Sequence, residues 1–256
     1  MSEQPSPTTT AESVDGLIEL ARARAQAGDA AGAGRTFAAA LHLAELHGLW
    51  GPTARAQTWL AGIDVKRGQL DLARQRLDLA WSLCSEHALG PEVRGLVGAQ
   101  LGQVLVFQGH AGAGAALMFQ AISDLRGTGQ EREAEELELA LAAVCTRVDR
   151  AVSEAEAGSV ARIHALLRRA RTRLGVGQAS DARADLASAW DSGTDLPDRL
   201  RAHIGLDYGK LLVAAGAAHT VQARAVLQAT RMLCAGDAER CAEIDALLAD
   251  TAMPAR

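Results

Sequence analysis

The stretch GDAAGAGRTFAAALHL, residues 28–43, decides the fold. After its first glycine it places Ala33, Phe37 and Ala40 at spacings of four and three residues. Such spacings bring side chains onto one face of an α-helix. Gly28 stands where a preceding helix would end, and the left-handed backbone used at helix ends is favourable mainly for glycine. The stretch therefore predicts the turn and the second helix of an antiparallel helix pair.

The same pattern occurs twice more along the chain. The turn glycines are Gly28, Gly68 and Gly109, which are 40 and 41 residues apart. A leucine and a small residue stand eight and seven positions before each glycine. These pairs are Leu20-Ala21, Leu60-Ala61 and Leu101-Gly102. Small residues at these positions allow two helices to approach closely. A helix pair that cannot bury its apolar face alone must stack on a neighbour, so the pattern predicts stacked helix hairpins.

The composition favours the same all-α fold. Alanine is the commonest residue, whereas aromatic residues make up only 3% of the chain. Ala, Leu, Arg and Glu enter helices at little cost, and the scarcity of strand-forming aromatic residues argues against a sandwich or barrel. The formal net charge is −5, whereas a dedicated nucleic-acid binder usually has a basic balance.

The repeated pattern resembles the tetratricopeptide repeat (TPR) family. The shared features are the Leu-small pair, the turn glycine, and then alanine, a large apolar residue and alanine; residues 28–43 match best. The usual TPR unit has about 34 residues, so the longer spacing here looks like the long-repeat type of kinesin light chains and of bacterial regulators. The resemblance implies an α-solenoid of stacked antiparallel hairpins, wound as a right-handed superhelix.

The register becomes irregular after residue 126. The next turn glycine, Gly177, lies 68 residues beyond Gly109, and a later one at Gly216 needs about two extra residues before its second helix aligns with the usual repeat. The Pro-, Ser- and Thr-rich N-terminus predicts a disordered tail. The predicted organisation is a tail at 1–10, three regular repeats at 11–126, an irregular helix and linker at 127–158, and degenerate repeats with a capping helix at 159–252.

The resemblance also implies a binding groove. In TPR proteins, the first helices of successive repeats line a concave surface that receives a partner peptide. The corresponding residues of this chain are Arg22, Gln26, Arg55, Lys66, Gln103, Phe107 and Lys210. The basic side chains would suit an acidic segment or a terminal carboxylate. The alternative is that they merely solvate a helix face, and that Phe107 belongs to the core.

A second candidate site is rich in arginine. It consists of Arg162, Arg168, Arg169, Arg171 and Arg173. These residues could bind an anionic partner such as a phosphate backbone. The alternative is that they pair with an acidic helix that carries Glu131, Glu133, Glu135, Glu136 and Glu138, which is the commoner arrangement.

The sequence gives no support for catalysis. It has no phosphate-binding glycine motif, zinc-protease motif or nucleophile elbow, and we expect neither a metal nor another cofactor. The four cysteines form no CxxC pair, although Cys234 and Cys241 flank a turn where they could bridge. The N-terminus lacks the regions of a secretory signal, and no apolar run has the length of a membrane span. We therefore expect a cytoplasmic chain without a membrane segment.

Three hypotheses about function follow. The first is a non-enzymatic scaffold that binds a protein or peptide partner in its groove. The second is a peptide- or ligand-sensing regulator that changes its superhelical curvature and acts through a partner. Nucleic-acid binding through the arginine-rich helix ranks third, because no aromatic residues are interleaved for base stacking. If the chain forms a homodimer, we expect the irregular middle or the C-terminal repeats to make the contact.

Overall fold

The structure is a computed structural model that describes residues 7–234 and 236–251, with side chains from Thr10 onward. All regular secondary structure in these ranges is helical. The α-helices are α1 (Pro7–Gln26), α2 (Ala30–Leu46), α3 (Trp50–Lys66), α4 (Leu70–Glu86), α5 (Pro91–Phe107), α6 (Ala111–Gly127), α7 (Glu131–Glu154), α8 (Val160–Gly175), α9 (Ala179–Ser192), α10 (Asp198–Ala214), α11 (Thr220–Leu233) and α12 (Ala238–Asp250). The predicted all-α class is confirmed.

The chain divides into two compact units, residues 1–142 and 143–256. The division falls inside α7, between Ala142 and Ala143. Unit 1 contains α1 to α6 and the first part of α7, and unit 2 contains the rest of α7 and α8 to α12. The predicted irregular middle, 127–158, therefore corresponds to one helix of 24 residues that crosses the division.

Unit 1 is built from three helix hairpins, α1–α2, α3–α4 and α5–α6. Their turns contain Gly28, Gly68 and Gly109, whose φ angles are 85°, 75° and 88°. These positive φ values explain why the turns need glycine, since a side chain is strained in this region. The predicted turn positions are confirmed.

The hairpin cores of unit 1 contain the large apolar residue that each repeat predicts. Phe37, Leu77 and Met118 are buried. The smallest residues face each other in the third hairpin, where a Cβ added at Gly102 would lie 2.8 Å from the carbonyl oxygen of Gly114. Any side chain at Gly102 would therefore push α5 and α6 apart.

Unit 2 contains two further hairpins and a final helix. The α8–α9 turn has Gly177 at φ 78°, and α10–α11 turns at Gly216 with φ 86°. A short 3₁₀ turn, Ala217–His219, follows Gly216 and accounts for the extra residues that shifted the sequence register. The helix α12 packs on α10 and α11, in the region where the sequence predicts a capping helix.

The first helix begins earlier than the sequence predicted. It starts at Pro7, so residues 7–10 of the predicted disordered tail are helical, and residues 1–6 of that tail lie outside the described residues. Proline suits a first helical position because the N–H that it lacks would have no partner there, and its φ is already helical.

Candidate binding site

The predicted groove residues of unit 1 lie on its three first helices, α1, α3 and α5. Four of them are exposed and two are half-buried. The exposed residues are Gln26, Lys66, Gln103 and Phe107, and the half-buried residues are Arg22 and Arg55. Within the described residues, no hydrogen bond or ion pair links any two of the six.

The half-buried arginines of unit 1 already have carboxylate partners. Arg22 Nη1 lies 2.9 Å from Glu19 Oε1, and Arg55 Nη2 lies 2.5 Å from Asp15 Oδ1. The Arg22 guanidinium also lies 5.1 Å from the centre of the Trp59 ring. Because these charges are balanced locally, this face of unit 1 is less cationic than the sequence suggested.

Two aromatic residues of unit 1, Phe107 and Trp59, differ in their exposure and packing. Phe107 is 61% exposed, which contradicts the alternative that it belongs to the core. Trp59 stacks on Phe37, with ring centres 5.9 Å apart and planes 5° apart. Phe107 is therefore an exposed apolar group, whereas Trp59 is part of the packing between the first two hairpins.

Unit 2 contains a pocket of about 350 Å³ beside α8, α9 and α10. Most of its wall is aliphatic, formed by Ala170, Leu174, Leu186, Leu211 and Ala214. Its polar lining residues are Arg171, Asp207 and Lys210. The structure thus brings together Lys210, which was predicted for the groove, and Arg171, which was predicted for the arginine-rich site.

Carboxylates lie beside both cations of this pocket. Arg171 Nη2 is 3.2 Å from Asp207 Oδ2, and Lys210 Nζ is 2.6 Å from Glu243 Oε1. His203 contacts the Arg171 guanidinium, and its Nε2 is 3.7 Å from the same Asp207 oxygen. Exposed ion pairs contribute roughly 0–1 kcal/mol to stability, so the carboxylate of a ligand can compete for these cations.

The register of the repeats contained the signal for this pocket. Arg22 precedes Gly28 by six residues, and Arg171 and Lys210 precede Gly177 and Gly216 by the same distance. Arg171 therefore has, in its hairpin, the position that Arg22 and Lys210 have in theirs, although it was predicted only for the arginine-rich site. The aliphatic wall was missed because it combines residues from three helices.

The other arginines of α8 serve mainly to hold unit 2 together. Arg169 Nη2 lies 2.6 Å from Asp185 Oδ1, and Arg173 Nη1 lies 2.9 Å from Asp185 Oδ2. Both arginines also approach Asp149 Oδ1, at 3.4 Å and 3.3 Å. The hydrogen bond to buried Asp185 is the main cause of the raised pKa of Arg169. These two side chains are therefore committed to contacts within the unit.

The remaining two arginines of this site differ from each other. Arg162 Nη1 donates to the backbone carbonyls of Val152, at 2.9 Å, and Ala155, at 3.2 Å. Arg168 is exposed and, among the described residues, forms no ion pair. Of the five predicted residues, only Arg168 thus remains a free surface cation in this part of the chain.

The expected pairing of the α8 arginines with the glutamates of α7 is wrong. The ion-pair partners of Arg169, Arg171 and Arg173 are aspartates, whereas Glu136 and Glu138 pair with other arginines. Arg126 Nη2 lies 2.8 Å from Glu138 Oε1, and Arg132 Nε lies 3.1 Å from Glu136 Oε1. Arg169 and Arg173 lie instead within 3.4 Å of Asp149, on the last turns of α7, and of Asp185 on α9.

Cys234 and Cys241 are free, buried thiols rather than a disulfide. The Cys241 thiol donates to the Cys234 carbonyl oxygen over 3.0 Å. Burial is the main reason that the pKa of Cys234 is raised, with nearby Arg240 opposing the shift. A thiol held protonated in this way is a weak nucleophile.

Over 7–234 and 236–251, no group of three or more His, Cys, Asp or Glu residues could hold a metal ion. In the same ranges, each helix is too short or too polar to cross a membrane.

Known proteins similar to this chain were found only by structure. No model of a protein family matches the sequence, and no curated protein matches it. Similar solved structures include a putative kinesin light chain with TPR-like repeats from Podosopora anserina, at 15% identity, covering 91% of this chain and 98% of the other, with a TM-score of 0.41. The TPR2AB domain of yeast Sti1 in complex with pHSP90 has 17% identity, coverages of 95% and 100%, and a TM-score of 0.38.

A tetratricopeptide repeat protein from Parabacteroides merdae is also similar, at 16% identity, with coverages of 94% and 99% and a TM-score of 0.32. All three are described as TPR or TPR-like proteins, which is the family that the sequence resembles.

Proposed function

We propose that this protein is a non-enzymatic interaction scaffold that binds a peptide segment of a protein partner on the first helices of its hairpins. The observation that carries the proposal is the pocket beside α8, α9 and α10, with its aliphatic wall and two cations. In this proposal an apolar side chain of the peptide enters the pocket. A neighbouring carboxylate of the same peptide replaces Asp207 or Glu243 beside Arg171 or Lys210.

The size and chemistry of the pocket support a single side chain as the occupant. Its volume of about 350 Å³ lies at the lower end of the range for ligand pockets, which runs from about 300 to 1,000 Å³. Burial of one leucine-sized side chain contributes about 1.5–3 kcal/mol. Such a contribution is too small for stable binding alone, so further contacts along the helices must add to it.

The helix hairpins favour binding because they hold the pocket residues in place. Leu186 is buried on α9, and Leu212, the neighbour of Leu211 on α10, is fully buried. A surface that is ordered before binding loses little conformational entropy when the peptide arrives. The peptide itself bears most of the ordering cost, and a short extended segment limits that cost.

The test is selection of peptides from a displayed random library on the full-length chain. We expect enriched peptides that place an apolar residue near an acidic one. The Leu174→Asp variant puts a carboxylate at the pocket wall, and we expect it to weaken an enriched peptide about tenfold or more, as loss of one buried side chain implies. Leu174 is 40% exposed, so the helix should tolerate this change.

The matched control is Val221→Asp in the same unit. Val221 is 86% exposed on α11 and does not line the pocket. This variant should bind the enriched peptides as the parent chain does. A library that yields no enriched peptide, or peptides that bind both variants equally well, would contradict the proposal.

A further inference from the structure

A second pocket of unit 2 has a different lining. It has a volume of about 440 Å³ and lies beside the first turns of α10 and α12. Its lining consists of Pro197, Arg199, Leu200, His203 and Arg240. Three of these five residues carry basic side chains, and none carries a carboxylate. This concentration of basic groups is unusual in a chain whose formal net charge is −5.

The basic groups of this pocket are poorly neutralised by the protein. Among the described residues, Arg199 has no ion pair and no hydrogen bond from its side chain. Arg240 Nε is 3.8 Å from Asp237 Oδ2, which is too long for a hydrogen bond. His203 shares the Asp207 carboxylate with Arg171. Among the described residues, the Arg199 guanidinium thus has no carboxylate partner, and the Arg240 guanidinium has one only at the longer ion-pair distance, an arrangement that an external anion would stabilise.

We infer that this second pocket binds the phosphoryl group of a phosphate ester, and that Arg199 and Arg240 are its principal ligands. The two arginines come from different helices, α10 and α12, so they approach a bound anion from different sides. A phosphoryl dianion carries about twice the charge of a carboxylate and has three terminal oxygens, so different oxygens can accept from the two guanidinium groups at once. His203 also lines this cavity.

The rest of the lining suits the organic part of the ester. Pro197 and Leu200 provide an apolar wall beside the basic groups. The volume of about 440 Å³ exceeds that of a phosphate ion and leaves space for the carbon atoms next to the ester oxygen. The ester is either a small phosphorylated molecule or a phosphorylated side chain, since both present the same group. This inference does not depend on peptide binding at the first pocket.

The experiment is isothermal titration calorimetry of the full-length chain with inorganic phosphate, O-phosphoserine and a short phosphoserine peptide, all at one ionic strength. We expect saturable binding of inorganic phosphate and phosphoserine, and a loss of about tenfold in affinity for Arg199→Gln and again for Arg240→Gln, as expected for a lost charged hydrogen bond. Tighter binding of the peptide than of phosphoserine would assign the site to a phosphorylated protein. Equal or weaker binding of the peptide would assign it to a small ester.

Two control variants make the result decisive. Arg168→Gln removes another exposed and unpaired arginine of unit 2 that does not line the pocket, and it should bind phosphate as the parent chain does. Leu174→Asp, which alters the first pocket, should also leave phosphate binding unchanged. Because Arg199 has no side-chain partner among the residues that the structure describes, Arg199→Gln should unfold at the parent temperature. Absence of saturable phosphate binding, or equal loss in Arg199→Gln and Arg168→Gln, would overturn the inference.

Discussion

The third hairpin of unit 1 and the first hairpin of unit 2 use the same helix geometry with opposite chemistry. In α5–α6, Leu101 and Leu105 stand eight and four residues before the turn glycine, and Leu117 stands eight residues after it. In α8–α9 the same positions are Arg169, Arg173 and Asp185. The leucines lie in one apolar cluster, and the charged residues form one ion-pair network. The repeat therefore fixes where two helices touch, but not the kind of contact.

The other hairpins support this conclusion. At the positions four before and eight after the turn glycine, the first hairpin has Arg24 and Thr36, with Nη1 2.7 Å from Oγ1. The second hairpin has Asp64 and Arg76, with Nε 2.8 Å from Oδ2. The order of charges in the second hairpin is the reverse of that in α8–α9. A single helix–helix contact thus accepts an apolar pair, a neutral hydrogen bond or an ion pair of either orientation.

The largest effect is expected from Asp185→Ala in unit 2. Asp185 is buried and accepts hydrogen bonds from both Arg169 and Arg173. Removal of one partner of a buried pair costs about 3–5 kcal/mol, and because these arginines are partly exposed we expect a loss of about 3 kcal/mol. The measurement is urea unfolding of the full-length chain, followed by circular dichroism. The control is Asp191→Ala, an exposed position on the same helix.

A triple variant makes the same comparison more specific. Arg169→Leu, Arg173→Leu and Asp185→Leu together give α8–α9 the apolar set of α5–α6. A buried ion pair can often be replaced by apolar residues without loss of stability, so we expect the triple variant to unfold at a urea concentration close to that of the parent. The comparison fails if Asp185→Ala is no less stable than Asp191→Ala, or if the triple variant is as unstable as Asp185→Ala.

A smaller effect is expected when the charges of the Asp64–Arg76 ion pair in unit 1 are exchanged. Asp64→Arg and Arg76→Asp should each destabilise the chain, whereas the double variant recreates the charge order of α8–α9. Gln57 Oε1 now accepts from Arg76 over 3.0 Å, and its amide can turn to donate to an aspartate at 76. We expect a coupling free energy of about 1–2 kcal/mol in the double-mutant cycle. A coupling near zero would mean that the two orientations are not interchangeable.

The periodicity of the sequence was sufficient to predict the hairpins, because a turn glycine and a buried stripe are local features. Gly28, Gly68 and Gly109 mark turns with positive φ, as predicted. The partners of the arginines could not be predicted in the same way. Arg169 has a long side chain that reaches both Asp149 on α7 and Asp185 on α9, and the choice depends on how these helices pack.

The candidate site was predictable only in part, for a related reason. Lys210 and Arg171 follow from the repeat register, since each stands six residues before its turn glycine. The pocket between them also requires Leu174, Leu186 and Leu211, which come from three helices. A sequence pattern places residues on the face of one helix, whereas a cavity depends on the gap that several helices leave.

The most direct test of the proposed scaffold function is NMR of leucine methyl groups in the full-length chain, recorded while an enriched library peptide is added. The account predicts that the methyl signals of Leu174, Leu186 and Leu211 shift in a saturable way, because these side chains form the wall of the pocket. The signals of Leu46, which is 70% exposed in unit 1, should not change. Saturable binding of the peptide with no shift at the three pocket leucines would contradict the account.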